Sequence, residues 1–279
     1  MPPEKAPWEK ILYKKQDYPD NYTDPTIFLK DLKKNVYFKE VTFLETCLGA
    51  TLLLQECCFV ILFTLIYWYM VNKWVDPSFI LYSSCGINFI GFVFYRHKQF
   101  KHRLGYDIRT TLTFIAFGQL FSPVLHTLTD TISTDTIYTM AFLMMIVHLI
   151  FFDYEIPAAI VSRSLSTSAA MFASICLASR LSSASEVFVF VTVATQIFVL
   201  SPSLRKLLSY MVSLIITAIL FLVNSYFLNE VSFLGFLLFC VIVGLIVFVF
   251  PLLYVKYQVF KDNIYGPWDE AIVKNFVRN

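Results

Sequence analysis

Long apolar runs separated by short polar ones organise most of this chain, from about residue 43 to about residue 256. A helix that crosses a bilayer needs about 20 mostly apolar residues, because each backbone polar group must find its partner inside the span. Eight segments meet or approach that length, at roughly 43–70, 79–95, 108–126, 136–152, 157–178, 186–201, 207–228 and 231–256. The first, seventh and eighth are strongly apolar, whereas the second and sixth are short and their ends approximate. The third is rich in Thr and the fifth in Ser. Both are therefore expected inside the bundle, where small and hydroxylated residues allow close helix approach and interhelical hydrogen bonds. The pattern predicts an all-α, polytopic transmembrane helix bundle of about eight spans over 43–256, with an arm at 1–42 and a tail at 257–279. No internal repeat or low-complexity tract interrupts it.

Charge orients the bundle. Cytosolic loops carry the excess of Lys and Arg, and eight spans that start in the cytosol place 20 of the 22 basic residues on that side. Only Lys73 and Arg180 fall on the other side. A missing helix in the middle would scramble this bias, so both termini are expected in the cytosol. Composition agrees with a lipid-facing surface: 15% of residues are charged, against about 25% in a soluble domain. The net charge of +2 says nothing about nucleic acid.

The first forty residues are rich in Lys, Asp and Pro and lack the short apolar core of a cleavable signal. The first span is thus expected to act as an uncleaved anchor. Within the arm, Asp24-Pro25 reads as a helix start. Phe28, Leu32 and Val36 then share a face, with lysines elsewhere, which suits a segment on the membrane surface or one packed on a partner. The six cysteines fall in or beside apolar runs without CxxC spacing and read as free thiols used as small hydrophobes.

Ionisable residues within spans are costly and mark functional candidates. Glu56 lies in the middle of the first span beside Gln55, and either hydrogen-bonds to another helix or faces a polar cavity. His148, Asp153 and Tyr154 form the run HLIFFDY at the end of the fourth span. His and Asp five apart do not stack on a helix and converge only if it breaks near Asp153. Headgroup contact, interhelical bonding and capping all fit; a catalytic dyad would need a nucleophile that the sequence does not place. Asp135 is expected to cap the helix that follows it. In FKDNIYGPWDEA, Gly266-Pro267 enforces a turn, and Lys261, Asn263, Trp268 and Asp269 are candidate lipid or partner contacts. P-loop, GxGxxG, HExxH and GxSxG patterns are all absent, so no catalytic, cofactor or metal residue is assigned.

Taken together, YPDNYTD (18–24), FSPVL (121–125), STDTIY (133–138), HLIFFDY (148–154), AAIVS (158–162), FASICLASRL (172–181) and FKDNIYGPWDEA (260–271) resemble, in order, the PIG-C family. Members of that family are membrane subunits of phosphatidylinositol N-acetylglucosaminyltransferase. The resemblance covers essentially the whole chain, although 205–255 matches mainly in hydrophobicity and 96–109 diverges. It implies an endoplasmic reticulum membrane protein in the complex that transfers N-acetylglucosamine from UDP-GlcNAc to phosphatidylinositol, the first step of GPI anchor biosynthesis. It also implies a catalytic glycosyltransferase partner, PIG-A, and assigns no catalytic residue here. The expected role is a non-catalytic subunit that holds the complex together and presents phosphatidylinositol. The alternatives are an intramembrane enzyme using His148, Asp153 and Glu56, or a lipid transporter or scramblase with Glu56, Arg163 and Asn224 along a polar path.

Overall fold

The computed structural model describes residues 15–19, 22, 32–35, 40–98, 104–129, 131–154, 161–262 and 264–265. Eight continuous helical segments run through them. These are α1 (Phe43–Val71), α2 (Pro77–Lys98), α3 (Leu104–Thr127), α4 (Thr134–Phe151), α5 (Arg163–Ala178), α6 (Ala184–Arg205), α7 (Tyr210–Val231) and α8 (Phe233–Phe260). Seven are long and apolar enough to cross a membrane. The exception is α5, whose 16 residues span about 24 Å at 1.5 Å per residue. Its start at Arg163 lies six residues beyond the expected 157, and residues 155–160 are outside the described part.

Serine side chains cap four of these helices. Ser133, Ser162, Ser183 and Ser232 accept hydrogen bonds from backbone N–H groups of Thr136, Leu165, Glu186 and Gly235, which would otherwise go unpaired in the first turn. At α4 this corrects the expectation for Asp135. The helix begins at Thr134, so Ser133 has the extended backbone of a cap, and Asp135 sits in the first turn instead. Between α1 and α2, Lys73 adopts φ 57 while Trp74 N–H bonds to Tyr69 O. This wrap is a left-handed helix stop that a lysine fills without glycine's conformational freedom.

The chain divides into two compact units, Leu44–Pro251 and Met1–Phe43 with Leu252–Asn279. In the larger unit α4, α5, α6 and α1 share one core. Ala141 and Met145 of α4 and Ala170, Ala173 and Cys176 of α5 pack with Phe63 and Tyr67 of α1 and with Val187, Phe190 and Phe198 of α6. Lipid is as apolar as these side chains, so close packing rather than water exclusion holds them. The small residues of α5 supply it: Ala170, Ala173 and Ala178 are wholly buried. A second cluster joins the other side of α1, through Leu54 and Cys58, to Phe239 and Ile246 of α8.

The fifth segment thus lies inside the bundle as expected, but the third does not. Among the described side chains of α3, only Ser122 is buried, where its hydroxyl donates to Ala184 O. The hydroxyls of Thr110, Thr111 and Thr113 instead donate to carbonyls of their own helix, at Tyr106, Asp107 and Arg109. Satisfied locally, these hydroxyls require no neighbouring helix. Helix α3 meets α6 where Gly118 brings its backbone against Phe188, and α2 meets α6 where Gly91 faces Leu204; a Cβ at either glycine would stand 3.0 Å from that side chain.

The smaller unit is tied by a short antiparallel pairing of Lys33–Lys34 with Ile264–Tyr265. Lys34 reaches Asp262 at 3.1 Å. The Gln258 amide bonds Val41 at both its N–H (3.1 Å) and its C=O (3.2 Å), as a backbone strand partner would. The predicted arm helix from Asp24 lies outside the described residues.

Overpacking a filled core typically costs about 1–3 kcal/mol, so Ala173→Leu is expected to lower the unfolding midpoint of the detergent-solubilised protein. Ile219→Ala, on the exposed face of α7, is expected to leave it near that of the parent in the same thermal scan.

Candidate functional site

Glu56 lies mid-way along α1 with 0% of its surface exposed. An unpaired carboxylate there would be prohibitively costly. Two other helices supply its partners. From α4, His148 Nε2 approaches Oε1 at 2.9 Å. From the last turn of α6, Arg205 Nη2 stands 2.5 Å from Oε2 as a charge pair. The other face of the imidazole is also held: Nδ1 lies 3.0 Å from Ser166 O and 2.8 Å from Ser166 Oγ, while that hydroxyl donates to His148 O at 3.1 Å. One carboxylate therefore links α1 to α4 and α6, and the histidine extends the link to α5.

Aromatic rings close round the charges. Phe152 and Phe198 meet the His148 ring edge-to-face, with centroids 5.5 and 5.0 Å away. The Arg205 guanidinium lies 5.0 Å from the Phe59 centroid and 5.2 Å from that of Phe152, within the range at which a ring face attracts a cation. These rings exclude water and strengthen the charge interactions beneath them.

A cavity of about 270 Å³ opens beside this cluster. Its rim carries Asp153, Tyr154, Arg163, Arg205 and Lys206, and Gln55 reaches it from α1. Asp153 pairs with Lys206 at 2.6 Å. The Tyr154 hydroxyl donates to Leu149 O at 2.7 Å. Burial and the nearby Glu56 charge push the Tyr154 phenol well above its ordinary pKa, so it remains a neutral donor at physiological pH.

Helix α6 sets this geometry through a π turn at Gln196–Leu200, where Ser201 N–H bonds back to Gln196 O. Two residues further on stands Pro202, whose missing N–H and ring prevent an ordinary bond to the carbonyl of Phe198. Widening the turn by one residue accommodates the proline and leaves Arg205 facing Glu56. The same arrangement recurs in α8, where a π turn at Leu245–Val249 precedes Pro251.

Glu56, His148 and Ser166 form a chain of the type that activates a serine nucleophile, but the hydrogen bonding opposes that use. Nδ1 faces a backbone carbonyl as well as the hydroxyl, and the hydroxyl proton is directed to His148 O. The carboxylate is shared with Arg205. The arrangement suits a buried interhelical lock. No group of three or more His, Cys, Asp or Glu stands close enough to hold a metal among the described residues.

The sequence comparisons decide the family. The chain matches the GPI2 family, phosphatidylinositol N-acetylglucosaminyltransferase, over residues 8–269. It belongs to that family. It is 40% identical over 278 residues to the C subunit of phosphatidylinositol N-acetylglucosaminyltransferase from Mus musculus, covering 96% of this chain and 93% of that one. The Homo sapiens protein of the same name gives the same figures. The phosphatidylinositol N-acetylglucosaminyltransferase GPI2 subunit of Schizosaccharomyces pombe is 29% identical over 286 residues, 97% of this chain and 88% of that one. No solved structure matches the chain.

In this member of the GPI2 family the eight candidate contact residues part company. Glu56 and His148 bind each other in the interior, and Asp153 and Tyr154 line the cavity. The helix ends at Phe151, so the break near Asp153 that convergence required is present, yet His148 and Asp153 turn to different partners. Lys261 is exposed in the smaller unit, while Asn263, Trp268 and Asp269 lie outside the described residues. Sequence reasoning missed Arg205, which reads only as a loop charge, and Ser166. It also missed the clamp at Arg180, whose Nη2 donates to Thr129 O at 2.6 Å and Ile132 O at 2.8 Å, tying the α3–α4 turn to the end of α5.

Glu56→Ala strips Arg205 of its carboxylate, and His148→Ala takes a hydrogen-bond partner from a fully buried one; since leaving a buried charge without its partner is strongly destabilising, each is expected to lower the unfolding midpoint sharply. The double variant is expected to lose far less than the two single losses added together, because the pair acts as one unit. Chemical denaturation in mild detergent provides the measurement.

Proposed function

We propose that this chain is a non-catalytic membrane subunit of phosphatidylinositol N-acetylglucosaminyltransferase, the complex that moves N-acetylglucosamine from UDP-GlcNAc to phosphatidylinositol in the first step of GPI anchor biosynthesis. The observation that carries this reading is 40% identity along nearly the full length of proteins named as the C subunit of that enzyme. In this role the chain holds the catalytic glycosyltransferase subunit PIG-A and the other subunits at the endoplasmic reticulum membrane and presents the lipid acceptor. The internal lock supports a platform: a carboxylate, an imidazole and a guanidinium are spent on joining four helices. Eight spans with both termini cytosolic fit the 20-to-2 division of basic residues. That topology puts the Arg163–Arg205–Lys206 end of the bundle at the cytosolic face.

Two measurements test the reading. Catalytic subunit reconstituted in phosphatidylinositol-containing lipid is expected to make little N-acetylglucosaminyl-phosphatidylinositol until this chain is added; full turnover without it would end the proposal. For topology, a cysteine replacing Lys206 in a chain stripped of its own cysteines is expected to react with an impermeant maleimide from the cytosolic side. One replacing Ser182 is expected to react only after the membrane is opened.

A further inference from the structure

Gln55 lines the cavity beside the lock, is 0% exposed, and leaves both its amide nitrogen and its amide oxygen without a hydrogen-bond partner. A buried amide left in that state has given up its hydrogen bonds to water without replacement, a loss that a polar occupant of the cavity would recover. The charges around it indicate the nature of that occupant. Glu56 offsets Arg205 and Asp153 offsets Lys206. Arg163, exposed on the rim, has no acidic partner among the described residues. One positive charge therefore remains uncompensated, next to an amide that both donates and accepts and to the hydroxyls of Thr167 and Ser213.

We infer that this cavity binds the headgroup of a phospholipid with a single phosphodiester and a neutral, hydroxylated substituent, Arg163 holding the phosphate and Gln55 the hydroxyl groups. The inference rests on the lipid-presenting role proposed above and assigns it to particular residues. The size agrees. At about 270 Å³ the cavity falls just below the roughly 300–1,000 Å³ that encloses a drug-sized ligand, enough for a headgroup whose acyl chains remain in the bilayer. Phe198 and Val199 provide an apolar wall beside the polar groups. The charge count gives selectivity. A phosphate monoester added to that substituent brings about −1.5 to −2 further charge, and the remaining cations already have carboxylate partners. A bisphosphorylated headgroup would therefore be desolvated against too little positive charge.

The test uses the full chain, captured from bilayer discs of phosphatidylcholine that contain labelled phosphatidylinositol or its bisphosphorylated form, with the retained lipid counted per protein. Phosphatidylinositol is expected to be retained in preference. Arg163→Ala and Gln55→Leu are each expected to weaken retention about tenfold or more, the loss that accompanies one hydrogen bond to a charged or buried group. Glycerophosphoinositol should displace the lipid, and inorganic phosphate should do so far less well. Stronger retention of the bisphosphorylated lipid, unchanged retention by both variants, or equal displacement by inorganic phosphate would each overturn the assignment. If Gln55→Leu does not fold, Ser213→Ala replaces it, with the same loss expected and unchanged retention counting against the site. A chain that retains no phosphatidylinositol yet restores turnover to the catalytic partner would overturn this site and leave the subunit reading intact.

Discussion

A carboxylate in the middle of a membrane helix needs counter-groups within hydrogen-bonding distance, and Glu56 finds them only where α1, α4 and α6 stand in one register. Sliding α1 by one turn would carry the carboxylate about 5.4 Å along the axis, away from both His148 and Arg205. The cluster thus decides which packing is tolerated more than it adds stability, since a buried pair repays its own desolvation with little to spare. Lipid cannot distinguish one apolar helix face from another, so a polar constraint of this kind specifies an arrangement that hydrophobicity leaves open.

Around that constraint the packing divides the helices into two kinds. Helices α1, α5 and α6 carry most of the buried side chains, and α5 does so with Ala, Ser and Cys over much of its length. Small residues bring its backbone close enough for Ser166 to reach His148 through both its hydroxyl and its carbonyl. Helices α2 and α3 lie outside this core, approaching α6 through Gly91 and Gly118 and exposing rows of large apolar side chains such as Phe89, Ile90, Phe117 and Leu120. The inner helices account for the lock, and the outer ones supply surface.

Much of this was legible in the residues. Eight helices, their order and most of their ends followed from the apolar runs, because span length is set by bilayer thickness. Glu56 and His148 stood out as ionisable groups where lipid permits few. Their pairing did not, for they are 92 positions apart and nothing local links them. Arg205 was hidden for a different reason. Placed at a helix end after Pro202, it reads as a loop charge, and its inward direction depends on a π turn that hydropathy does not reveal. The Thr-rich third segment misled because a hydroxyl in a helix can bond its own carbonyls as well as a neighbour's. The serine caps were readable in principle: Ser183 with Glu186 has the spacing of a capping box, and Ser133 precedes the first helical residue of α4.

The π turn of α6 connects the lock to the cavity. An inserted residue rotates the remainder of the helix by about 100°, so the turn forced ahead of Pro202 decides where Arg205 points. The π turn before Pro251 in α8 solves the same backbone problem with Ile246 and Pro251 buried. A proline and a widened turn are therefore not sufficient for a site. Helix α6 differs in that its rotated turn delivers a guanidinium to a carboxylate already committed to His148, while the next residue, Lys206, meets Asp153 across the cavity rim. These two pairs cancel their charges locally and leave Arg163 as the cavity's cation without a carboxylate partner among the described residues, beside the unmet amide of Gln55. The structural role of the ion pairs and the recognition role of the cavity thus have one origin: the pairs that hold the helices together decide how much charge remains for a ligand.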